Sequence, residues 1–319
     1  MLYLSRKDVE AVNLSMPEII DALERMFKEK GKGRVQMPPK PEIHPGEDGL
    51  IHAMPAYIPS LHAAGLKWVS AYKENSKKNL PYISGLVILN DPETGIPIAV
   101  MDATWITAKR TGAATAIAAK YLAREESSSV GILGCGVQGR SNLEALSCEF
   151  NIDRVKVYDI CSDAAGKFAQ DMAEIIQMKI DVVDNPKEAV REMDLVVTCG
   201  PLLRNPSPII EADWLAEGAF AGPVDFDSYW KGEALWRAER FATDDIAQME
   251  YYREIGYFKN TPQPYADLGE IAAGKKPGRQ NPSERIICMN LGLALDDMAA
   301  GIMIYRKAIE MGIGAELSL

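Results

Sequence analysis

The chain has 319 residues, 47% hydrophobic and 25% charged, the balance of a globular protein with a buried core, and its length suggests two domains of about 150 residues. Acidic residues exceed basic ones by 45 to 35, a net charge of −10, which argues against a nucleic-acid partner because phosphate binding needs a basic face. No window approaches the ~20 apolar residues of a membrane span; the first residues lack the order of a secretory signal, and five scattered cysteines without a Cys-x-x-Cys pair fit reduced thiols in the cytoplasm.

Ser15-Met-Pro-Glu18 forms a capping box with proline in the first turn, and Ile19, Ile20, Leu23, Met26 and Phe27 then recur at helical spacing until Gly31. Two prolines in Arg34–Lys40 enforce an extended segment. Strand-like runs follow at Leu50–Ala53, Gly65–Tyr72 and Ile83–Leu89. The last is joined to Ile96–Met101 by a hairpin whose Pro92 and Gly95 supply the turn angles. Thr104–Leu122, rich in alanine with Gly112, reads as a closely packed helix. Beyond it, apolar runs at Val130–Leu133, Val155–Tyr158, Leu195–Thr198 and Ala219–Val224 alternate with helical patterns at Ala164–Ile176 and Lys187–Met193. Such alternation implies a parallel sheet covered on both faces. Leu291–Met311 is again helical and is expected to pack back on the first domain. The expected fold is α/β: a Rossmann-type doubly wound parallel sheet over 124–285, plus an α+β domain built from 1–123 with 286–319.

Gly134-Cys-Gly136-Val137-Gln138-Gly139 is a Gly-x-Gly-x-x-Gly that follows a strand and opens a helix. Glycines permit the tight turn and the approach of a pyrophosphate, and the helix N-terminus offers free amides and partial positive charge. Asp159 ends the next strand, where an acid accepts hydrogen bonds from an adenosine ribose; its alternative role is a cap for the helix starting near Ser162. An acid there repels a 2′-phosphate, so NAD is expected over NADP.

Several charges look out of place. Lys67 interrupts the apolar Gly65–Ala71; held there it must pair with an anion or lose its proton, unless it is an edge-strand lysine that discourages aggregation. Arg110, among small residues, can clamp a carboxylate or face solvent. Asp225 and Asp227 follow a strand of the parallel sheet, where ligands bind, and are candidates for proton transfer or for turn and cap roles. His44, His52 and His62 lack metal-ligand spacing, so no metal is expected.

Met54-Pro-Ala-Tyr57, Gly65-Leu-Lys67-Trp-Val69, Val100–Ala113 with Lys109-Arg110-Thr111, and Gly134–Gly139 occur in this order, followed by Ala266–Ile271 and Asn290-Leu-Gly292. Together they resemble the ornithine cyclodeaminase/mu-crystallin family over nearly the whole chain. The resemblance implies a cytoplasmic homodimer acting on the C–N bond of an amino acid or imine: a dehydrogenase, a ketimine reductase or a cyclodeaminase. The rival implication is a mu-crystallin-type binder of dinucleotide or small ligands without catalysis. Lys67 and Arg110 match the residues holding the substrate carboxylate, with Lys40 where relatives often carry arginine, and Met54 and Leu291 beside the substrate. Asp227 matches the acid that exchanges a proton with the substrate nitrogen, and Lys67 is the second catalytic candidate. Thr111, Thr198, Val224, Lys231 and Asn290 fall at cofactor-contacting positions with Gly134, Gly136, Val137, Gln138, Gly139 and Asp159. In ornithine-specific members a glutamate two places before the Met-Pro holds the distal ammonium; here that place is His52, a poor substitute for a fixed negative charge. Asp225 is the candidate for the missing anion, and Tyr229 and Trp230 suggest a bulkier side-chain pocket.

Overall fold

The computed structural model describes residues 1–46, 49–203 and 206–318, the side chains of Lys73 and Ser76 apart. The chain forms two compact units, Met1–Arg110 with Leu293–Leu319, and Thr111–Gly292.

In the first unit, β1 (Leu2–Leu4), α1 (Arg6–Val12) and α2 (Met16–Gly31) precede β2 (Glu42–Ile43), β3 (Gly49–Ile58), β4 (Ala63–Tyr72), β5 (Ile83–Asn90) and β6 (Pro97–Asp102). Helix α3 (Thr104–Leu122) follows, and the boundary between the units falls within it. The C-terminal helix Ala294–Met311 and the short strand Ala315–Glu316 complete the unit. Ser15 caps α2 through its hydroxyl while Glu18 returns to the Ser15 amide, closing the capping box. The sheet runs Ala315–Glu316, β1, β6, β5, β4, β3, β2. Strand β3 continues past the expected Ala53 through Pro55 to Ile58 and pairs along its length with β4.

Because β4 lies between β3 and β5, Lys67 is an interior residue of the sheet, not an edge lysine. It stands opposite Met54 on β3 and Val87 on β5. One row along, Glu42 on β2 faces His52 on β3, which faces Val69 on β4. Directly paired residues share a face, so Met54, Lys67, Glu42 and His52 all stand on one side of the sheet. The C-terminal helix covers that side: a Cβ added at Gly301 would touch Val87.

The second unit contains β7 (Ser129–Leu133), α4 (Val137–Glu149), β8 (Arg154–Tyr158), α5 (Ser162–Ile176), β9 (Asp181–Val182), β10 (Leu195–Thr198) and β11 (Phe220–Pro223). After them come α6 (Gly232–Trp236), β12 (Arg240–Thr243), α7 (Ile246–Glu254), α8 (Leu268–Ala272) and β13 (Ile286–Met289). Every pairing in its sheet is parallel, in the order β12, β13, β11, β10, β7, β8, β9. The chain builds outward from β7 through β8 and β9 on one side and through β10 and β11 on the other, with β13 inserted between β11 and the edge strand β12; this is the doubly wound arrangement of a Rossmann fold, with its switch point between β7 and β10. Strands β7, β10, β11 and β13 are buried throughout, which is why they read as unbroken apolar runs. The expected helix over Lys187–Met193 is instead a single 3-10 turn, Pro186–Ala189. Its backbone presses on β7 so closely that a Cβ at Gly131 would lie 1.7 Å from the Ala189 carbonyl oxygen, and Glu192 turns to positive φ.

Candidate functional site

In the second unit the glycine motif joins β7 to α4. Gly134 has φ +103° and packs against the end of β10, where an added Cβ would lie 2.7 Å from the Cys199 carbonyl oxygen. Gly139 sits against the Gly134 carbonyl, 2.3 Å from an added Cβ, so α4 starts close to the sheet. Gly136 differs: it is exposed, holds the N-cap of α4, and an added Cβ would meet nothing within 4 Å. Its backbone therefore faces open space at a helix N-terminus, a cradle that suits a pyrophosphate. Val137 is exposed beside it, and the side-chain oxygen Oε1 of Gln138 is buried without a hydrogen-bond partner. Asp159 accepts from the Cys135 amide at 2.7 Å and the Cys161 amide at 2.9 Å. It braces the glycine loop instead of capping α5, whose N-cap position belongs to Cys161. The residues present fit a dinucleotide.

Asp225 and Asp227 diverge after β11. Between them Phe226 has φ +59°, a costly conformation for a bulky residue. Its ring is gripped by Tyr252, Phe258 and Tyr257 at centroid distances of 4.9, 5.0 and 5.7 Å, packing that holds the strained turn. Asp225 is fully buried; it accepts from Thr198 Oγ1 at 2.8 Å and the Gly200 amide at 2.9 Å, and burial pushes its carboxyl up to about 7. Both its oxygens are thus engaged within the second unit, and Asp225 ties β10 to β11. Asp227 is half-buried, and burial raises its carboxyl above the ordinary aspartate value despite backbone hydrogen bonds.

The remaining expected cofactor residues occupy the same unit. Thr198 donates to Asp225 and accepts from Trp230 Nε1 at 3.0 Å. Trp230, 2% exposed, is therefore a core residue and not a pocket wall. The Val224 amide donates to the Thr198 carbonyl, and Asn290 donates to Thr115 Oγ1 at 3.3 Å. Thr111 is buried, its carbonyl accepting from Thr115. Lys231 caps α6 and pairs with Glu211 at 2.9 Å. Leu291 is part of the second unit's apolar core.

In the first unit the misplaced cations meet two acids that sequence reasoning missed. Lys67, 1% exposed, places Nζ 2.6 Å from Asp297 Oδ2, and Thr107 Oγ1 lies 3.5 Å away. Arg110 Nε lies 3.2 Å from Asp297 Oδ1 and its Nη1 3.4 Å from Asp296 Oδ2. Both acids are fully buried in the first turn of the C-terminal helix, where negative charge is favoured. Two adjacent acids inside the apolar run Leu291–Ala300 were the available signal. Burial and the Arg110 charge push the Lys67 ammonium down to about 7, with Asp297 opposing. Lys40 is also buried, and its charge acts on Lys67 and His52. Met54, 2% exposed, stands beside Lys67. Burial, then the charges of Lys40 and Lys67, push His52 down to about 3, so its imidazole is neutral. Among the described residues no group of three or more histidine, cysteine or acidic side chains is placed to hold a metal, and no helix is long and apolar enough to cross a membrane.

The second unit is thus a Rossmann unit whose glycine cradle fits a dinucleotide, and the first unit buries a cluster of cations paired with acids. A profile of the ornithine cyclodeaminase/mu-crystallin family matches residues 1–312, and the chain belongs to that family. It is 37% identical to alanine dehydrogenase of Archaeoglobus fulgidus, covering 99% of this chain and 98% of the relative. It is 36% identical to nodulation efficiency protein NfeD of Rhizobium meliloti, again over 99% and 98%. Among solved structures, Δ(1)-pyrroline-2-carboxylate reductase of Thermococcus litoralis, in complex with NADH and L-proline, superposes with a TM-score of 0.91 at 35% identity, covering 99% of this chain and all of that one. An archaeal alanine dehydrogenase dimer with bound NAD gives 0.89 at 36% identity, covering 100% and 99%.

Proposed function

We propose that this protein is an NAD-dependent enzyme that transfers hydride at the C–N bond of an amino acid or its imine. Bound NAD(H) supplies the chemistry of accepting or returning hydride. Gly134, Gly136, Val137, Gln138, Gly139 and Asp159 hold the dinucleotide, with Thr111, Thr198, Val224, Lys231 and Asn290 shaping its bed. Lys67 and Arg110, with Lys40, bind the substrate carboxylate and so orient the α-carbon. Asp296 and Asp297 keep these cations aimed. A guanidinium has five N–H donors and an ammonium three, so both cations retain donors for a carboxylate after meeting the two acids. Asp227 takes a proton from the substrate amine as the imine forms and returns it in reduction; burial lets its carboxyl hold a proton more readily than an ordinary aspartate does. The protein works as a homodimer, a reading supported by exposed Trp68 and Leu86, cross-strand neighbours each 43% accessible.

The observation that carries this reading is the buried pair Lys67 and Arg110, which a dinucleotide binder without substrate does not need. The test is a screen of amino acids and cyclic imines with NAD(H) and NADP(H), following nicotinamide absorbance and ammonia release together, so that a redox-neutral cyclodeamination is also seen. NADH binding without turnover of any amino acid or imine would replace the enzyme with the non-catalytic binder.

A further inference from the structure

Among the described residues, the non-glycine positions with positive φ are polar or charged except two: Phe226 at +59° and Phe258 at +53°. For a bulky apolar side chain this region is an outlier that persists only where its surroundings enforce it. Both rings are buried and touch each other, with centroids 5.0 Å apart, and Tyr252 and Tyr257 close around them. Filling a core requires buried rings but no left-handed backbone. Two contacting residues that both turn this way call for a neighbour that the turns serve.

That neighbour is Asp227. Residues two apart on an extended chain share a face, so a strand prolonged from β11 would set the carboxylate of Asp227 beside that of Asp225. The left-handed Phe226 breaks the period: Asp225 stays with Thr198 and Gly200, and Asp227 turns away, half-buried. The second turn acts from across the chain. The Phe258 amide is aimed at the Asp227 carboxyl and favours its ionised form. The Phe258 carbonyl accepts from the Thr261 hydroxyl at 2.8 Å and from the Thr261 amide at 3.3 Å. Arg253, at the end of α7, donates to Thr261 Oγ1 at 3.1 Å and to the Pro262 carbonyl at 2.6 Å, so a helix anchors the turn. The titratable groups around Asp227 are Asp225, on which its charge acts, and the phenols of Tyr252 and Tyr257 in the ring cluster.

We infer that Phe226 and Phe258 are positioning residues: their interlocked left-handed turns hold the Asp227 carboxylate apart from Asp225 and aim it for proton exchange. This rests on the proposed role of Asp227 toward the substrate nitrogen. Thr261 and Arg253 support the second turn and touch no reacting atom.

The test separates the backbone turn from the ring. Phe226→Gly and Phe226→Ala both delete the ring, but only glycine holds positive φ freely. The penalty for an ordinary residue there corresponds to about a five- to thirtyfold shift in population. With L-alanine and NAD, or Δ(1)-pyrroline-2-carboxylate and NADH, kcat is expected to be about five- to thirtyfold higher in Phe226→Gly than in Phe226→Ala, with KM alike. Thr261→Val keeps its shape and leaves every ring in place; it should lower kcat with little change in KM. It should also move the Asp227 carboxyl titration upward by up to about one pH unit, because a hydrogen bond to the ionised form is weakened. That titration is read by NMR of protein carrying isotope-labelled aspartate, assigned with Asp227→Asn, and needs no turnover. Melting temperature and NADH affinity check folding, and Thr261→Val decides alone where a Phe226 variant does not fold. Equal kcat and equal titrations in the two Phe226 variants, or an unmoved titration in Thr261→Val, reduce the two turns to a structural role and overturn the inference. Wild-type kcat in Asp227→Asn rejects the proton role itself, while a shifted titration in Thr261→Val still upholds the hold on the carboxylate. Where neither substrate reacts, the titrations decide the positioning by themselves.

Discussion

Replacing Asp297 by Asn preserves shape and removes the one charge shared by Lys67 and Arg110. In the wild-type protein Asp297 lies 2.6 Å from Lys67 Nζ and 3.2 Å from Arg110 Nε; after the change two buried cations remain with Asp296 alone. Breaking a buried pair by deleting one partner costs about 3–5 kcal/mol. The cost depends on pH because Lys67 can shed its proton. Its pKa is about 7 in the folded protein against 10.5 for an ordinary lysine. A lysine with a depressed folded-state pKa carries stability that is present above the unfolded pKa and is lost as pH falls through the folded one. In the wild-type protein that loss ends near pH 7, where Lys67 becomes protonated beside Asp297. Without Asp297 the folded pKa drops further, so the variant keeps losing stability below pH 7 at up to about 1.4 kcal/mol per pH unit. The destabilisation at pH 5.5 should therefore exceed that at pH 8.5 by up to about 2 kcal/mol. Urea titrations followed by tryptophan fluorescence at both pH values measure it. A loss under about 1 kcal/mol at both, below the range for a broken buried pair, or a loss that does not grow on acidification, refutes the idea that Asp297 neutralises the cation cluster.

Asp227→Asn should lower kcat by about 10²- to 10⁴-fold, the contribution of a positioned acid–base group, while NADH affinity measured by fluorescence stays near wild type. The glycines separate two roles. Gly139→Ala places a methyl 2.3 Å from the Gly134 carbonyl oxygen and should cost about 1–3 kcal/mol in urea unfolding; Gly136→Ala meets no protein atom and should weaken NADH binding with little change in stability. Asp159→Ala releases the Cys135 and Cys161 amides and removes the charge that repels a 2′-phosphate. The NADH-over-NADPH affinity ratio should fall about tenfold or more, equivalent to about 1.4 kcal/mol, and an unchanged ratio would mean that discrimination lies elsewhere.

Much of the fold was legible in the residues because local signals agreed with the global pattern. The Ser15–Glu18 box starts α2, buried strands appear as Val130–Leu133 and Leu195–Thr198, and Gly134–Gly139 follows a strand and opens a helix. These are properties of backbone geometry and side-chain period, which a single chain carries locally. The helix expected at Lys187–Met193 shows the limit: its packing against β7 at Gly131, remote in sequence, outweighs its periodicity.

Residue types and spacing alone raised a demand for anions at Lys67 and Arg110 while leaving an edge-strand or solvent-facing role open; the order of the strands and the burial of both side chains turned that demand into a necessity, since a buried charge cannot be left bare. Which anions answered them was decided by folding. Asp296 and Asp297 come from a helix 186 positions beyond Arg110 and 230 beyond Lys67, and Glu42 reaches His52 only through the register of β2 on β3. Asp225 and Asp227 look equivalent on paper, yet the left-handed turn at Phe226, clamped by aromatic rings, buries one against Thr198 and leaves the other half-exposed. Charge demand is a property of composition along the chain; its satisfaction depends on distances across it, and those exist only once the strands have paired.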